Sequence, residues 1–128
     1  MALVVPNEGE TEMLGRVLDV DVKLKLYVND LIPEESHVLS DLTESTGSGY
    51  SDKTLATGSW SYDFDAGDAR ASYPQQDFVF TGGETVYGYY ITDLAETLIL
   101  WVERFSDGPY IIPSGGGTIR VTPRIKLG

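Results

Sequence analysis

The sequence predicts an all-β protein: an antiparallel β-sandwich or jelly-roll-like domain with an extended N-terminal arm. Short strand-like segments recur along the chain, glycine-rich turn signals separate them, and no long segment has convincing helical periodicity. Fourteen glycines and eight tyrosines among 128 residues also favour strands and tight turns. We expect one domain, with residues 1–15 as the arm and residues 16–128 as the sandwich.

The beginning of the chain gives only a weak helix signal. In "PNEGETEML", Asn7 has the spacing of an N-cap, with Glu10 three residues later as in a capping box. Gly9 lies inside that turn and disfavours a helix. We therefore expect an extended arm with at most one helical turn.

The clearest strand signal is "GRVLDVDVKLKLYVND". Apolar residues occupy every even position from 18 to 28, and mainly charged residues lie between them. This period of two places one face in a core and the other in water, whereas at helical spacing the same side chains would circle the axis. The connection from Asp30 to Asp52 is long and rich in turn residues, and such connections are either functional or mobile.

Further strand candidates follow at regular spacing. They are "KTLAT", "SWSYDF", "QDFVFT", "TVYGYYIT", "LILWVERF", "PYII" and "TIRVTPRIKL". Turn signals such as "GDA", "TGGE", "SDGP" and "SGGG" stand between them. Pro123 interrupts the last candidate, and proline with cationic neighbours suits an edge position.

The hairpin of "ETVYGYYITD" and "LILWVERF" is largely apolar on both faces of both strands. Strands of a sandwich normally keep one face in water, so the second face requires a cover. The cover is the N-terminal arm, the long loop or another protein. Gly88 predicts either a bulge or a place where a neighbouring ring lies over bare backbone.

Composition excludes several classes of function. The net charge of −11 argues against nucleic-acid binding, because a phosphate-binding face needs clustered Lys and Arg, and most of the nine are scattered. The absence of cysteine excludes disulfides and zinc–thiolate sites. "MALVVPNEGE" lacks a basic n-region, and no run approaches the roughly 20 apolar residues of a membrane helix. We expect a protein that is made and used in the reducing cytoplasm, or assembled there into something larger, and that binds neither nucleic acid nor membrane.

Motifs that carry chemistry are nearly absent. His37 is the single histidine and lies in the polar loop, where a solvated residue is the better interpretation than a catalytic base. The glycine runs lack the helix or lysine context of a phosphate-binding loop. We expect no catalytic residue, no cofactor and no enzymatic activity.

Two ligand-binding alternatives stay open. Asp63, Asp65 and Asp68 in "YDFDAGDAR" are weak candidates for a calcium site, since hard cations need several oxygen ligands from a tight loop. An Asp-Ala-Gly-Asp turn linking two strands uses the same residues for turn geometry alone. Aromatic residues such as Trp60 and Trp101 suit a sugar-stacking platform, although aromatic rings in small β proteins more often pack internally.

The segments "YPQQDFVFTGG", "ETVYGYYITD" and "LILWVERF", the ending "TIRVTPRIKL" and the opening "ALVVPNEGE" resemble small virion proteins of tailed bacteriophages. The family pattern has a "VYGYY-T" strand, a "LLWAERF"-like strand and an "I-VTP-I-L" ending. Val102 stands where that pattern has alanine. The likeness is strongest from Tyr73 to Leu127. It implies a virion structural protein, assembled in the host cytoplasm and most plausibly a decoration or cement protein on the outside of the head.

The resemblance implies that the major capsid protein is the partner and that the protein forms a homo-oligomer, a trimer or a dimer. We expect the partner contacts in the arm and on the apolar hairpin, at Leu3, Val4, Val5, Tyr87, Tyr89 and Trp101. The alternative is a carbohydrate- or calcium-binding β-sandwich module of a phage tail, a fibre or a head–tail junction protein.

Overall fold

A computed structural model describes residues 2–127, which form one α-helix, eleven β-strands and two short 3-10 turns. The helix is α1 (Asn7–Val17), and the 3-10 turns span Leu39–Asp41 and Thr57–Ser59. The strands are β1 (Val22–Tyr27), β2 (Lys53–Leu55), β3 (Ser61–Asp65), β4 (Asp68–Ser72), β5 (Gln76–Phe80), β6 (Glu84–Val86), β7 (Gly88–Asp93), β8 (Ile99–Arg104), β9 (Tyr110–Ile112), β10 (Gly117–Val121) and β11 (Arg124–Leu127).

The strands pair into four antiparallel sheets. Their orders are β2-β1-β7-β8, β10-β5, β11-β4-β3 and β6-β9. Buried side chains from all four sheets and from the helix meet in one hydrophobic cluster. The predicted all-β, sandwich-like fold is therefore confirmed. The helix is too short and too polar to cross a bilayer, so residues 2–127 contain no candidate membrane-spanning helix.

The N-terminal segment differs from the prediction, because residues 7–17 form a helix of three turns rather than at most one. Its N-cap is Pro6, and Asn7 is the first helical residue. Tertiary packing explains the difference, since most helical stability in proteins comes from burial of one face. Leu14 is buried in the core, and the helix lies against β4, whose small Ala69 and Ala71 allow a close approach.

The first strand begins later than its pattern predicts. Leu18 ends the helix and is buried, whereas Val20 is exposed in the connection. From Val22 onward the even positions face the core as predicted, yet Lys25 and Tyr27 are buried as well. Both faces of β1 are covered, because its even positions pack in the main core and Tyr27 packs with Leu42 and Tyr90 on the other face.

Two of the predicted strand segments each form two strands. "TVYGYYIT" divides at Tyr87, because β6 pairs with β9 while β7 pairs with β1 and β8. The last segment divides around Pro123, with β10 pairing with β5 and β11 with β4. The pairing partners differ on the two sides of each division, and local sequence does not encode them.

The hairpin of β7 and β8 receives its second cover from its own chain. Tyr89 and Ile91 point into the main core, whereas Tyr90 packs with Tyr27 and Leu42 in a second cluster. The loop of residues 28–52, called the covering loop below, supplies Leu42 and other apolar residues of that cluster. Of the three covers that the sequence allows, the loop is the one that lies on this face.

Gly88 lies directly against the ring of Tyr27, a member of the second cluster. A Cβ atom on Gly88 would lie 2.3 Å from the carbonyl oxygen of Glu103 and 2.6 Å from Cε1 of Tyr27. The Tyr27 ring thus lies over bare backbone, which confirms the second of the two predictions for this glycine. The irregularity in strand register occurs instead between Ile91 and Thr92.

We expect Gly88→Ala to lower the free energy of unfolding by about 3 kcal/mol, because the new methyl group collides with backbone as well as with a ring. Gly15→Ala is the matched control: nothing lies within 4 Å of its added Cβ, and alanine is the better helix former. Urea denaturation of both variants checks the prediction. Equal stability of the two proteins would contradict it.

Candidate functional site

A buried lysine organises the most highly charged part of the interior. Lys25 projects from β1 toward the covering loop, and its Nζ lies 3.0 Å from Glu44 Oε1 and 3.1 Å from Asp52 Oδ2. It also pairs with Glu96 of the turn between β7 and β8. Lys23 reaches the same Glu96 at 3.4 Å. Three segments that are distant in sequence, β1, the covering loop and the β7–β8 turn, therefore meet at two lysine amines.

The electrostatics of this cluster suit a structural cation. Burial alone would lower the pKa of Lys25, but hydrogen bonds to Glu96, Glu44 and Asp52 outweigh it and raise the pKa above its usual value. The same pairing lowers the pKa of Glu96. An ammonium group that is protonated and saturated with acceptors is a poor nucleophile or base. The ion pairs of Lys25 attach the covering loop to the sheet.

Lys25→Met should lower the free energy of unfolding by about 2 kcal/mol at pH 7, since three partly exposed carboxylates then face one another without a cation. In the wild type, the depressed pKa of Glu96 contributes stability above its unfolded pKa, and this is lost as pH falls through the folded value. In the variant, protonation of the three carboxylates instead relieves the repulsion between them. The difference in Tm between the two proteins should therefore narrow below about pH 4.5.

Circular dichroism melts at pH 7 and pH 3.5 measure this effect. Lys126→Met is the control, because Lys126 is exposed and lies 3.7 Å from Asp65 and from Asp68. A Tm difference for Lys25→Met that stays constant with pH would rule out the electrostatic explanation.

The three aspartates of the predicted metal candidate lie around a two-residue hairpin turn. Asp65 and Asp68 are cross-strand partners, and both residues between them have positive φ, as a tight β-hairpin requires. Arg70 donates to both carboxylate oxygens of Asp63, at 3.0 and 2.7 Å, and thereby lowers the pKa of that carboxyl. Within residues 2–127, no group of three or more His, Asp or Glu side chains is arranged to hold a metal ion.

The candidate sugar-stacking residues lie mainly in the core. Trp60 is buried and meets Tyr73 and Trp101 edge-on, with ring planes inclined by 65° and 62°. Stacking a sugar needs an exposed ring face, and this arrangement does not present a flat platform. His37 closes a turn of the covering loop, where its Nδ1 accepts a hydrogen bond of 3.0 Å from the Glu34 N–H.

The predicted contact residues of the hairpin are covered to different degrees. Tyr89 is 2% exposed and belongs to the main core. Trp101 is half-buried against the same core. Tyr87 is half-buried in the second cluster, with the Arg104 guanidinium 5.2 Å from its ring centre. These side chains stabilise the body of the protein and are not brought together with the arm.

The arm residues, in contrast, are open to solvent. Leu3 is 93% exposed and Val4 is 74% exposed, while Val5 folds back toward Gly9 of the helix. Two apolar residues of the helix, Met13 and Val17, are exposed as well. We call Leu3, Val4, Val5, Met13 and Val17 the N-terminal surface. A group of exposed apolar residues commonly marks a site of interaction with another protein.

A cavity of about 380 Å³ lies at the base of the N-terminal surface and is lined by Val5, Glu10, Met13 and Leu127. We call it the arm pocket. Glu10 is 8% exposed, and its Oε2 accepts a long hydrogen bond of 3.4 Å from the Ala69 N–H. Apart from Val5, sequence reasoning missed these residues. Glu10, Leu14 and Leu18 recur at helical spacing. This spacing places them on one buried face only if the segment is known to be a helix.

Comparisons with protein-family models, with curated proteins and with solved structures found no match to this chain.

Proposed function

We propose that this protein is a bacteriophage head decoration, or cement, protein. In this proposal it binds the outer capsid surface at junctions between subunits of the major capsid protein and stabilises the shell. The likeness of its sequence motifs to small virion proteins supports the proposal. The compact sandwich-like body also supports it, since such a body can sit on a lattice without reaching inside.

The observation that carries the proposal is the exposure of the arm. Leu3 and Val4 are among the most solvent-exposed large apolar side chains of residues 2–127. The apolar hairpin, in contrast, is covered by its own chain. Fully burying one such side chain against a partner contributes about 1.5–3 kcal/mol. The arm is thus the element with the most apolar surface left to bury on binding.

Repetition over the lattice would turn this modest contact into a stable attachment. Each copy would join neighbouring capsid subunits through its N-terminal surface, and linked contacts bind more tightly than their separate affinities suggest. A trimer or a dimer at a symmetric junction would present two or three arms at once. Subunits joined in this way would resist the outward pressure of packaged DNA.

Replacing both Leu3 and Val4 with serine should reduce loading onto shells at least tenfold, because the apolar surface that drives the contact is lost. Deleting residues 2–5 should have the same effect. Both changes stop short of Pro6 and the helix, so the fold should be kept. Co-sedimentation with shells that lack the protein measures loading, and circular dichroism checks folding.

The control is serine at Ile32 and at Ile111, which are 71% and 76% exposed and lie outside the N-terminal surface. These variants should load normally. If the arm variants load as well as the wild type, the role of the arm is wrong. If the wild type itself does not bind shells, the proposed function is wrong.

A further inference from the structure

We infer that the arm pocket receives a lysine or arginine side chain of the partner protein. This inference deepens the proposed function, because it names the chemistry of the surface on which the N-terminal surface docks. It rests on the proposed function only for the identity of that partner. The cavity itself is a property of the isolated chain.

The lining of the pocket matches the two parts of a long cationic side chain. Val5, Met13 and Leu127 supply apolar walls, and Glu10 supplies a carboxylate. Lysine and arginine combine an aliphatic stem, which packs on apolar surface, with a charged end that seeks an acceptor. A volume of about 380 Å³ is within the usual range of sites that hold a small organic group.

Glu10 is the residue that selects a cation. Its side chain is nine-tenths buried, and within residues 2–127 its hydrogen bonding consists of the single long contact from the Ala69 N–H. A carboxylate offers about four acceptor positions, and a buried charge is costly unless it is paired. An ammonium or guanidinium group would supply the missing donors through short, charge-assisted hydrogen bonds.

Two further acidic residues lie on the same helix as Glu10. Glu8 and Glu12 lie on the exposed side of the first helical turns, and Glu12 pairs at 3.0 Å with Arg16. No ion pair to Glu10 occurs among the described residues, so Arg16 does not satisfy the buried carboxylate. The whole chain has a net charge of −11. A basic partner surface is therefore attracted toward the arm from a distance and oriented on contact.

A second copy of this chain fits the pocket poorly. Seven of the nine Lys and Arg side chains already pair with acids of their own chain: Arg16, Lys23, Lys25, Arg70, Arg104, Arg120 and Lys126. A purely apolar side chain fits poorly as well, since it would exclude water from Glu10 without pairing it.

Titration of the isolated protein with n-butylguanidinium and n-butylammonium, followed by NMR, tests the pocket without any shell. The expected result is saturable shifts, at millimolar concentration, of the Met13 methyl and the Ala69 and Glu10 amides. 1-Butanol, which has the same stem and no charge, should bind at least tenfold more weakly. Equal binding of butanol, or no shift with either cation, would overturn the inference.

Glu10→Gln provides the matched variant, because glutamine keeps the size of the side chain and its carbonyl oxygen still accepts from the Ala69 N–H. It should weaken cation binding at least tenfold, as expected for a lost charge-assisted hydrogen bond. Glu12→Gln changes an exposed carboxylate two residues further along the helix, and it should bind within about twofold of wild type, since exposed charges contribute little. Equal losses in the two variants would indicate a diffuse charge effect and would overturn the specific pocket.

Shell binding separates this inference from the proposed function. If wild type loads onto shells and Glu10→Gln loads at least tenfold less well, with a stronger salt dependence in wild type, both are supported. If the two proteins load equally, the inference fails while the proposed function stands. Self-association of wild type that disappears in Glu10→Gln would make a second copy the occupant and would overturn the cationic partner.

Discussion

Burial of strand β7 on both faces is the constraint on which the rest of the structure depends. The strand lies between β1 and β8, and five of its six residues are buried. One face belongs to the core shared with the other sheets. The other face is too apolar to lie in water and must be covered. A sandwich of only two layers would leave that outer face exposed. The covering loop exists to supply that third layer.

An irregular loop that covers a sheet buries the apolar side chains of that face, but its own backbone polar groups also need hydrogen-bond partners. A loop has no regular hydrogen-bond ladder, so it needs specific anchors. Lys25 provides one by gathering carboxylates from the covering loop and from the β7–β8 turn. Tyr50 provides another, because its hydroxyl donates to Glu44 at 2.8 Å and accepts from the Leu26 N–H at 3.2 Å. The buried cation therefore joins the covering loop and the β7–β8 turn to β1.

The same constraint determines where a partner has room to bind. Once the loop covers the second face of the hairpin, the aromatic residues on that face are no longer available as contacts for another protein. The largest unburied apolar groups then lie elsewhere, and the N-terminal surface has several of them next to a pocket. Exposed apolar residues on an otherwise self-covered body are more informative than the total apolar content.

The pattern of the sequence predicts the class of fold and most of the strand segments, and it narrows Gly88 and the Asp-Ala-Gly-Asp turn to two interpretations each. These features follow from local period and backbone freedom, which neighbouring residues encode directly. It also names Leu3, Val4 and Val5 as expected partner contacts, and this stays a prediction. The length of the helix, the division of two predicted strand segments, the cover of the hairpin and the arm pocket become visible in the tertiary structure alone. Each of these depends on contacts between residues far apart in the chain: Leu14 with β4, Leu42 with Tyr90, and Glu10 with Ala69. Local pattern contains no information on which distant surface a given apolar face will meet.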